Sequence, residues 1–426
     1  MKTILRSIAA SILASLARGV LHRYKPQIVM VTGSVGKTST KDALAACLST
    51  HYFLRASDKS YNSEFGVPLT IIGVKTPWNN PIEWIKVFWE GFVLQILPSH
   101  YPNLLVLEVG ADRPGDLAKI LKIATPDLVV VTRLPEVPVH VEAYAGPQAV
   151  REEEFLPALA LPAGAPLILS ADDIYARQMA ARLQAKVITY GYAEDADVRL
   201  LDSSFTDTGL PGMCADIDTG EGKCRLEARG VLGRQQLFAP AAAFAAAREL
   251  GLTAKEALKG LSRYSPPPGR ARILPGKHHS LIIDDTYNAS PAAVEEALAA
   301  LMLIGNAKRR IAVLGDMLEL GRYSVEEHAR IGKLAAKEVD MLITVGSRAR
   351  SMRTAAIEAG MAEGLALSYD TPKEAADFIL ETLKEGDVVL LKGSQSVRME
   401  RAVEMLLLDS ADVKQLVRQE KEWLGR

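Results

Sequence analysis

Hydrophobic and polar positions change period several times along the chain, and each change marks an element. Residues 1–25 place Ile4, Leu5, Ile8, Ile12, Leu16 and Val20 at helical spacing, with Lys2, Arg6, Arg18, His22, Arg23 and Lys25 towards the ends. This predicts an amphipathic helix, either packed on the body of the protein or lying on a membrane surface. From Lys25-Pro26 onward strand and helix patterns alternate, with a strand at 28–32 and a helix at 37–50. Leu104–Glu108 and Leu128–Thr132 are almost wholly apolar. They have no polar face to turn to water, so they read as parallel strands covered on both sides. Residues 78–97 form a second amphipathic stretch carrying Trp78, Trp84, Phe88, Trp89 and Phe92, a spacing that suits a core or a membrane-facing or partner-facing patch. Pro166–Ser170 and Lys186–Tyr190 extend the sheet, and the short alternating runs of 197–230 predict a small antiparallel addition. Helices near 234–250 and 253–263 close the unit.

Ser265-Pro-Pro-Pro-Gly269-Arg270 is a stiff connector and the clearest boundary in the chain. Beyond it the alternation restarts, with strands near 281–285, 310–314, 341–345 and 387–391, each followed by a helical pattern. Asp409–Arg426 is charged and reads as a surface helix or a frayed tail. The expected fold class is α/β. An N-terminal amphipathic helix (1–25) precedes a P-loop-containing central domain with a mostly parallel sheet (26–270), followed by a C-terminal Rossmann-like α/β domain (271–426).

Composition narrows the function classes. With 426 residues, 48% hydrophobic and 24% charged, the chain is globular and too long for one small core. A net charge of −1 gives no bulk-electrostatic reason for a nucleic-acid partner. Cys47, Cys214 and Cys224 have neither metal spacing nor an even count, which fits inert thiols in a reducing compartment. A signal peptide competes for the N-terminal segment, but a phosphate loop follows directly and needs cytosolic ATP. The expected location is the cytoplasm, at the inner face of the membrane, with a peripheral contact through residues 1–25 and 78–97.

The candidate chemistry begins at Val29-Met-Val-Thr-Gly33-Ser-Val-Gly36-Lys37-Thr38-Ser39. Glycines permit a tight turn in which backbone amides face phosphate oxygens, and the helix that follows adds its positive dipole end. Gly33, Ser34, Val35, Gly36, Lys37, Thr38 and Ser39 are therefore nucleotide-binding candidates. Lys37 would neutralise the terminal phosphates and Thr38 would hold Mg2+. The usual phosphate loop has a further glycine where this chain has Val31. Glu108 ends an apolar strand on the side where ligands of α/β sheets gather.

Taken together, this loop, Tyr61-Asn-Ser-Glu-Phe-Gly-Val-Pro68, Leu107-Glu-Val-Gly-Ala111, Asp284-Asp-Thr-Tyr-Asn-Ala289, Leu314-Gly-Asp-Met-Leu-Glu-Leu-Gly321 and Lys392-Gly-Ser394 resemble the Mur ligases, closest to the MurF-type branch. The resemblance spans residues 26–408. It implies an ATP-dependent, ADP-forming amide ligase working through an acyl phosphate. Its substrates would be a muramoyl peptide as carboxylate acceptor and D-alanyl-D-alanine as amine donor. It also implies ATP and Mg2+ as cofactors, Glu108 and His140 as ligands of a second Mg2+, Arg270 reaching the phosphates, Asp285 holding the ribose and Asn288 near the adenine. The donor would bind near Asp316–Leu320 and Lys392–Ser394. The family's N-terminal sugar-binding domain has no counterpart in this sequence. Where the family has a lysine bearing a CO2-derived carbamate, this chain has Glu154, which offers the same charge on a shorter stem and is expected to be catalytic. Gln235 and Ala239 replace a histidine and an asparagine. Two other readings are another Mur-like carboxylate–amine ligase and a nucleotide-binding scaffold without ligase activity.

Overall fold

The computed structural model describes residues 2–57, 61–77, 80–206, 210–220, 222–420 and 423, with side chains from residue 7 onward. Trp78 and the side chains of Lys2, Ile4, Leu5 and Arg6 lie outside these described residues. The chain builds two sheets. The first contains β1 (Gln27–Thr32), β2 (Leu54–Ala56), β3 (Leu104–Glu108), β4 (Leu128–Val131), β5 (Pro166–Ser170), β6 (Lys186–Gly191), β7 (Val198–Thr206), β8 (Gly212–Asp218) and β9 (Lys223–Arg229), in the order β2-β3-β1-β4-β5-β6-β7-β8-β9. It is parallel as far as β7, and β8 and β9 add the antiparallel extension. The second contains β10 (Arg272–Gly276), β11 (Ser280–Asp285), β12 (Arg309–Gly315), β13 (Met341–Val345), β14 (Ala366–Tyr369) and β15 (Asp387–Lys392), in the order β10-β11-β15-β12-β13-β14. Only β10 runs antiparallel.

β1 shows why apolar runs without a polar face become central strands. Val29 and Val31 point into one core with Leu44 and Phe244, while Ile28 and Met30 point into the other with Ile71 and Phe155. Both faces are dry, so period-two alternation disappears from the sequence. β2, β10 and β14 carry no such run. They are short edge or near-edge strands, and Pro275 in β10 is tolerated because an edge strand need not donate every amide.

Helix α1 (Lys2–Tyr24) packs Leu13, Ala17 and Val20 against the first lobe. Helix α2 (Lys37–Leu48) follows the phosphate loop, α3 (Gly66–Ile72) the Asn62 loop, and α4 (Pro81–Ile96) lies beside α1 with its first turn capped by the Asn80 side chain. The C-terminal stretch departs from the expected surface helix or frayed tail. Leu416, Val417 and Arg418 are buried, because Val417 packs on the connector glycine Gly269 and Arg418 pairs with Glu400.

Candidate active site

The phosphate loop leaves the carboxyl end of β1, between β3 and β4, where the strand order reverses and a crevice opens. Both of its glycines hold a positive φ, 116° at Gly33 and 92° at Gly36, and Gly33 is sterically confined as well. A Cβ on Gly33 would lie 2.3 Å from Thr132 Oγ1, so the neighbouring strand itself excludes a side chain. Nothing crowds Gly36, but its φ of 92° is a conformation that L-residues with side chains rarely adopt. Ser34 and Val35 donate their amides to the Arg133 carbonyl, which pins the loop to the next strand. The first amides of α2 have no carbonyl within the helix and sit at the crevice, as phosphate binding needs.

Two carboxylates flank this helix start. Thr38 Oγ1 donates to Glu108 Oε1 at 3.1 Å, and Glu108 Oε2 is buried without a hydrogen-bond partner. Burial raises the Glu108 pKa, opposed by the charges of Lys41, Lys37 and Arg270. The second carboxylate comes from three consecutive glutamates, Glu152 to Glu154, whose fates differ. Helix α5 spans Asp116–Leu121 and α6 spans Pro147–Leu159. Glu152 meets Gln148 in solvent, Glu153 accepts from the Gly115 and Leu117 amides and so caps α5, and Glu154 turns inward. Glu154 Oε1 lies 3.7 Å from Lys37 Nζ, and its Oε2 is also buried and unpartnered. Burial raises its pKa, opposed by Lys37 and His140. Lys37 Nζ also donates to the Gly33 carbonyl.

Orphaned buried carboxylate oxygens are costly, and a hard cation with oxygen ligands accounts for them. Thr38 and Glu108 thus fit the Mg2+ that a triphosphate brings, while Glu154 faces Lys37. Glu108, His140 and Glu154 do not, however, converge into one cage. No cluster of three or more acidic, histidine or cysteine ligands occurs among the described residues. Instead His140 Nδ1 lies 2.9 Å from Glu319 Oε2, across the junction between lobes. Burial would lower the His140 pKa, but the hydrogen bond and charge of Glu319 outweigh it and raise it, and the same bond lowers that of Glu319.

The second lobe supplies the opposite wall. Asp285, at the end of β11, accepts from the Ala271 amide through Oδ1 (3.1 Å) and from Lys392 Nζ through Oδ2 (2.6 Å). Lys392 also donates to the Asn288 carbonyl at 3.1 Å. Arg270 stacks its guanidinium 4.0 Å from the centre of the Tyr287 ring. The Tyr287 and Thr286 carbonyls are in turn held by Arg418, at 3.1 and 2.5 Å.

These walls enclose two adjoining cavities. One, of about 560 Å³, is lined by Ser34, Val35, Lys37, Thr38, Glu108, His140, Asn288, Glu319 and Ser394. The other, of about 340 Å³, is lined by Ser39, Tyr190, Tyr192, Phe238, Gln235, Ala239 and Asp285. Val35, Gly36, Arg270, Ala293 and Lys392 face both. Asn288 therefore sits on the phosphate-loop side with Tyr287 and Trp423, and Tyr190, Tyr192 and Phe238 line the neighbouring cavity. Lys41, Arg418 and Trp423 have no site role in the sequence reading, and Glu319 and Lys392 enter it only within the segments Asp316–Leu320 and Lys392–Ser394. Lys41 is fully buried, donates to the Ser57 carbonyl at 2.7 Å and faces Glu108; its place four residues after Lys37, on the same helix face, was the available signal.

Two family models cover most of the chain: the Mur ligase middle domain over residues 91–247 and the Mur ligase glutamate ligase domain over residues 269–395. A UDP-N-acetylmuramoyl-tripeptide–D-alanyl-D-alanine ligase of Synechocystis is 30% identical over 400 residues, covering 93% of this chain and 78% of the relative. The enzyme of the same name from Bacillus subtilis is 26% identical, with 93% and 79% covered. Among solved structures, the MurF ligase of Thermotoga maritima in complex with ADP superposes with a TM-score of 0.78 at 28% identity, covering 95% of this chain and 84% of that one. Fold, crevice and relatives agree: the chain belongs to the Mur ligase family.

Proposed function

We propose that the chain joins a carboxylate to an amine at the expense of ATP. The γ-phosphoryl group passes to a carboxylate oxygen, the amine nitrogen attacks the carbonyl carbon, and phosphate leaves with that oxygen while the amine gives up a proton. Both reacting groups in the first step are anions, so the site must cancel their repulsion. Lys37 does this for the transferring phosphoryl group, and Arg270 reaches it from the other lobe. Thr38 and Glu108, with His140 at the rim, would hold Mg2+, which would supply further positive charge. Glu154 holds Lys37 in place and balances it. Gly33, Ser34, Val35, Gly36 and Ser39 cradle the phosphates, with Asp285 at the ribose and Asn288 at the lobe junction.

The acceptor is a muramoyl peptide and the donor D-alanyl-D-alanine, a choice supported by the names of the relatives. The donor has a place at the segment where the Leu318 amide donates to Ser394 Oγ at 2.9 Å, because Leu318, Glu319 and Ser394 line the same cavity as Lys37. The enzyme works in the cytoplasm, at the inner face of the membrane. The observation that carries the ligase reading is that Lys37, Thr38, Glu108 and His140 of one lobe face Arg270, Asn288 and Lys392 of the other across a single cavity.

The purified chain, given ATP, Mg2+ and D-alanyl-D-alanine with and without muramoyl tripeptides, tests it. Acceptor-dependent ADP and phosphate are expected. AMP with pyrophosphate overturns the mechanism, and ATP binding without turnover under every acceptor favours a scaffold.

A further inference from the structure

Helices α1 and α4 run side by side in the same direction: Leu16 lies against Gly91, Gly19 against Gln95, and Tyr24 donates its hydroxyl to the Leu97 carbonyl. Their facing sides are buried, through Leu13, Ala17 and Val20 on one helix and Val87 and Gly91 on the other. Their outer sides are not. Ile82, Ile85, Trp89, Phe92 and Ile96 recur at alternating three- and four-residue steps, one continuous stripe on a helix, and are exposed by 48% to 68%. Leu97 prolongs the stripe, and Ile8 and Ile12 add to it from α1. Eight of the seventeen large apolar side chains exposed among the described residues sit on this helix pair. Scattered exposed leucines and isoleucines need no explanation, whereas a concentration of this kind marks a surface that something covers.

Charge says what covers it. Residues 1–25 contain Lys2, Arg6, Arg18, Arg23 and Lys25, and no acidic residue precedes Asp42. Arg18, Arg23 and Lys25 are exposed. α4 is close to balanced, with Glu83, Lys86 and Glu90. The occupant must therefore be apolar, extended and anionic. A second copy meets the first requirement and fails the last, because two-fold pairing of this face would bring two acid-free basic helices together. Among the described residues no helix is long and apolar enough to cross a membrane. We propose that α1 and α4 together form a docking surface for an anionic bilayer, with Ile85, Trp89 and Phe92 at the acyl boundary and Arg18 and Lys25 at headgroup phosphates. α1 runs through Lys25-Pro26 directly into β1, so the bilayer would hold the lobe that carries the phosphate loop.

Flotation of the full chain with phosphatidylcholine vesicles, with and without phosphatidylglycerol, tests this without any substrate, so it stands or falls apart from the ligase reading. Binding to the anionic vesicles is expected to exceed that to neutral ones by roughly tenfold and to weaken with salt. The pair Ile85→Glu with Trp89→Glu, both solvent-exposed, should lower binding by about tenfold or more at an unchanged melting temperature. Arg18→Gln with Lys25→Gln should remove most of the preference for anionic lipid. Absence of flotation, equal flotation of the parent and the Ile85/Trp89 variant, or a dimer that this variant dissolves would each overturn the proposal.

Discussion

The two walls of the crevice are assembled on different principles. The first-lobe wall is mostly one run of chain, Gly33 to Ser39, whose shape follows from two glycines and a helix start. The second-lobe wall is gathered from Arg270, Asp285, Glu319, Lys392 and Arg418, which meet only when β11 pairs with β15 and the C-terminal stretch folds back. A wall made of local geometry tolerates changes elsewhere and fails at its one cation. A wall made of braces loses geometry by degrees.

The largest effect is therefore expected at Lys37. Lys37→Met should lower phosphate release by about a thousandfold or more, since it removes charge where the transferring group carries it. The fold should stay intact, because among the described residues the side chain bonds the Gly33 carbonyl and Glu154 and no core group. A loss comparable to that of a second-lobe variant would erase the contrast between the walls.

Glu154→Gln comes next. It keeps the shape and removes the charge that faces Lys37, so kcat should fall by roughly tenfold to a hundredfold while KM for ATP changes little. Unchanged turnover at low Mg2+ would assign Glu154 to packing alone. Glu154→Lys sharpens the test: its activity should return only with added bicarbonate, as carbamylation restores a carboxylate-like group.

What the sequence disclosed follows the same division. The apolar runs of β1, β3 and β4, the phosphate loop and the Pro-rich connector are legible because each is a property of adjacent residues. Glu154 could be singled out from Glu152 and Glu153 only by a family pattern, since three glutamates in a row look like one solvated face. Glu153 caps α5 while Glu154, the next residue on the helix, points inward, and no local rule reports either contact. The pairing of Lys392 with Asp285 and the burial of Arg418 were unreadable for a similar reason. The partners of Lys392 and Arg418 lie 107 and 132 residues away along the chain, and a charged C-terminal stretch gives no sign that its Arg418 is buried.

Arg418→Ala probes that hidden brace. It leaves Glu400 with Arg398 alone and strips the Thr286 and Tyr287 carbonyls of their donor. Breaking a buried, hydrogen-bonded pair from one side costs on the order of 3–5 kcal/mol. A drop of several degrees in melting temperature is expected. KM for ATP should rise severalfold as well, because Tyr287 carries the stacked Arg270. Arg418→Lys, which keeps the charge but not the fork, should fall between the two. A stability loss with KM unchanged would confine Arg418 to packing.

The smallest effect separates two neighbours on one strand. Asp285 is braced by Lys392 and the Ala271 amide, whereas Asp284 accepts from the Thr286 amide and hydroxyl through Oδ1 and leaves Oδ2 buried and unpartnered. Burial, only partly offset by Thr286 and reinforced by Asp285 and Glu400, pushes the Asp284 carboxyl up to about 6 from its ordinary 3.8. A group whose folded pKa lies above its unfolded one binds more protons in the folded state, so it lowers stability progressively as pH rises between those two values. Asp284→Asn keeps the acceptor for Thr286 and removes the titration. Its melting temperature should match the parent near pH 4 and exceed it above pH 6, by an advantage on the order of 3 kcal/mol. Asp285→Asn, which deprives a buried lysine of its partner, should destabilise instead. If both variants shift in the same direction above pH 6, the second wall is held by its shape and not by the pairing of its charges.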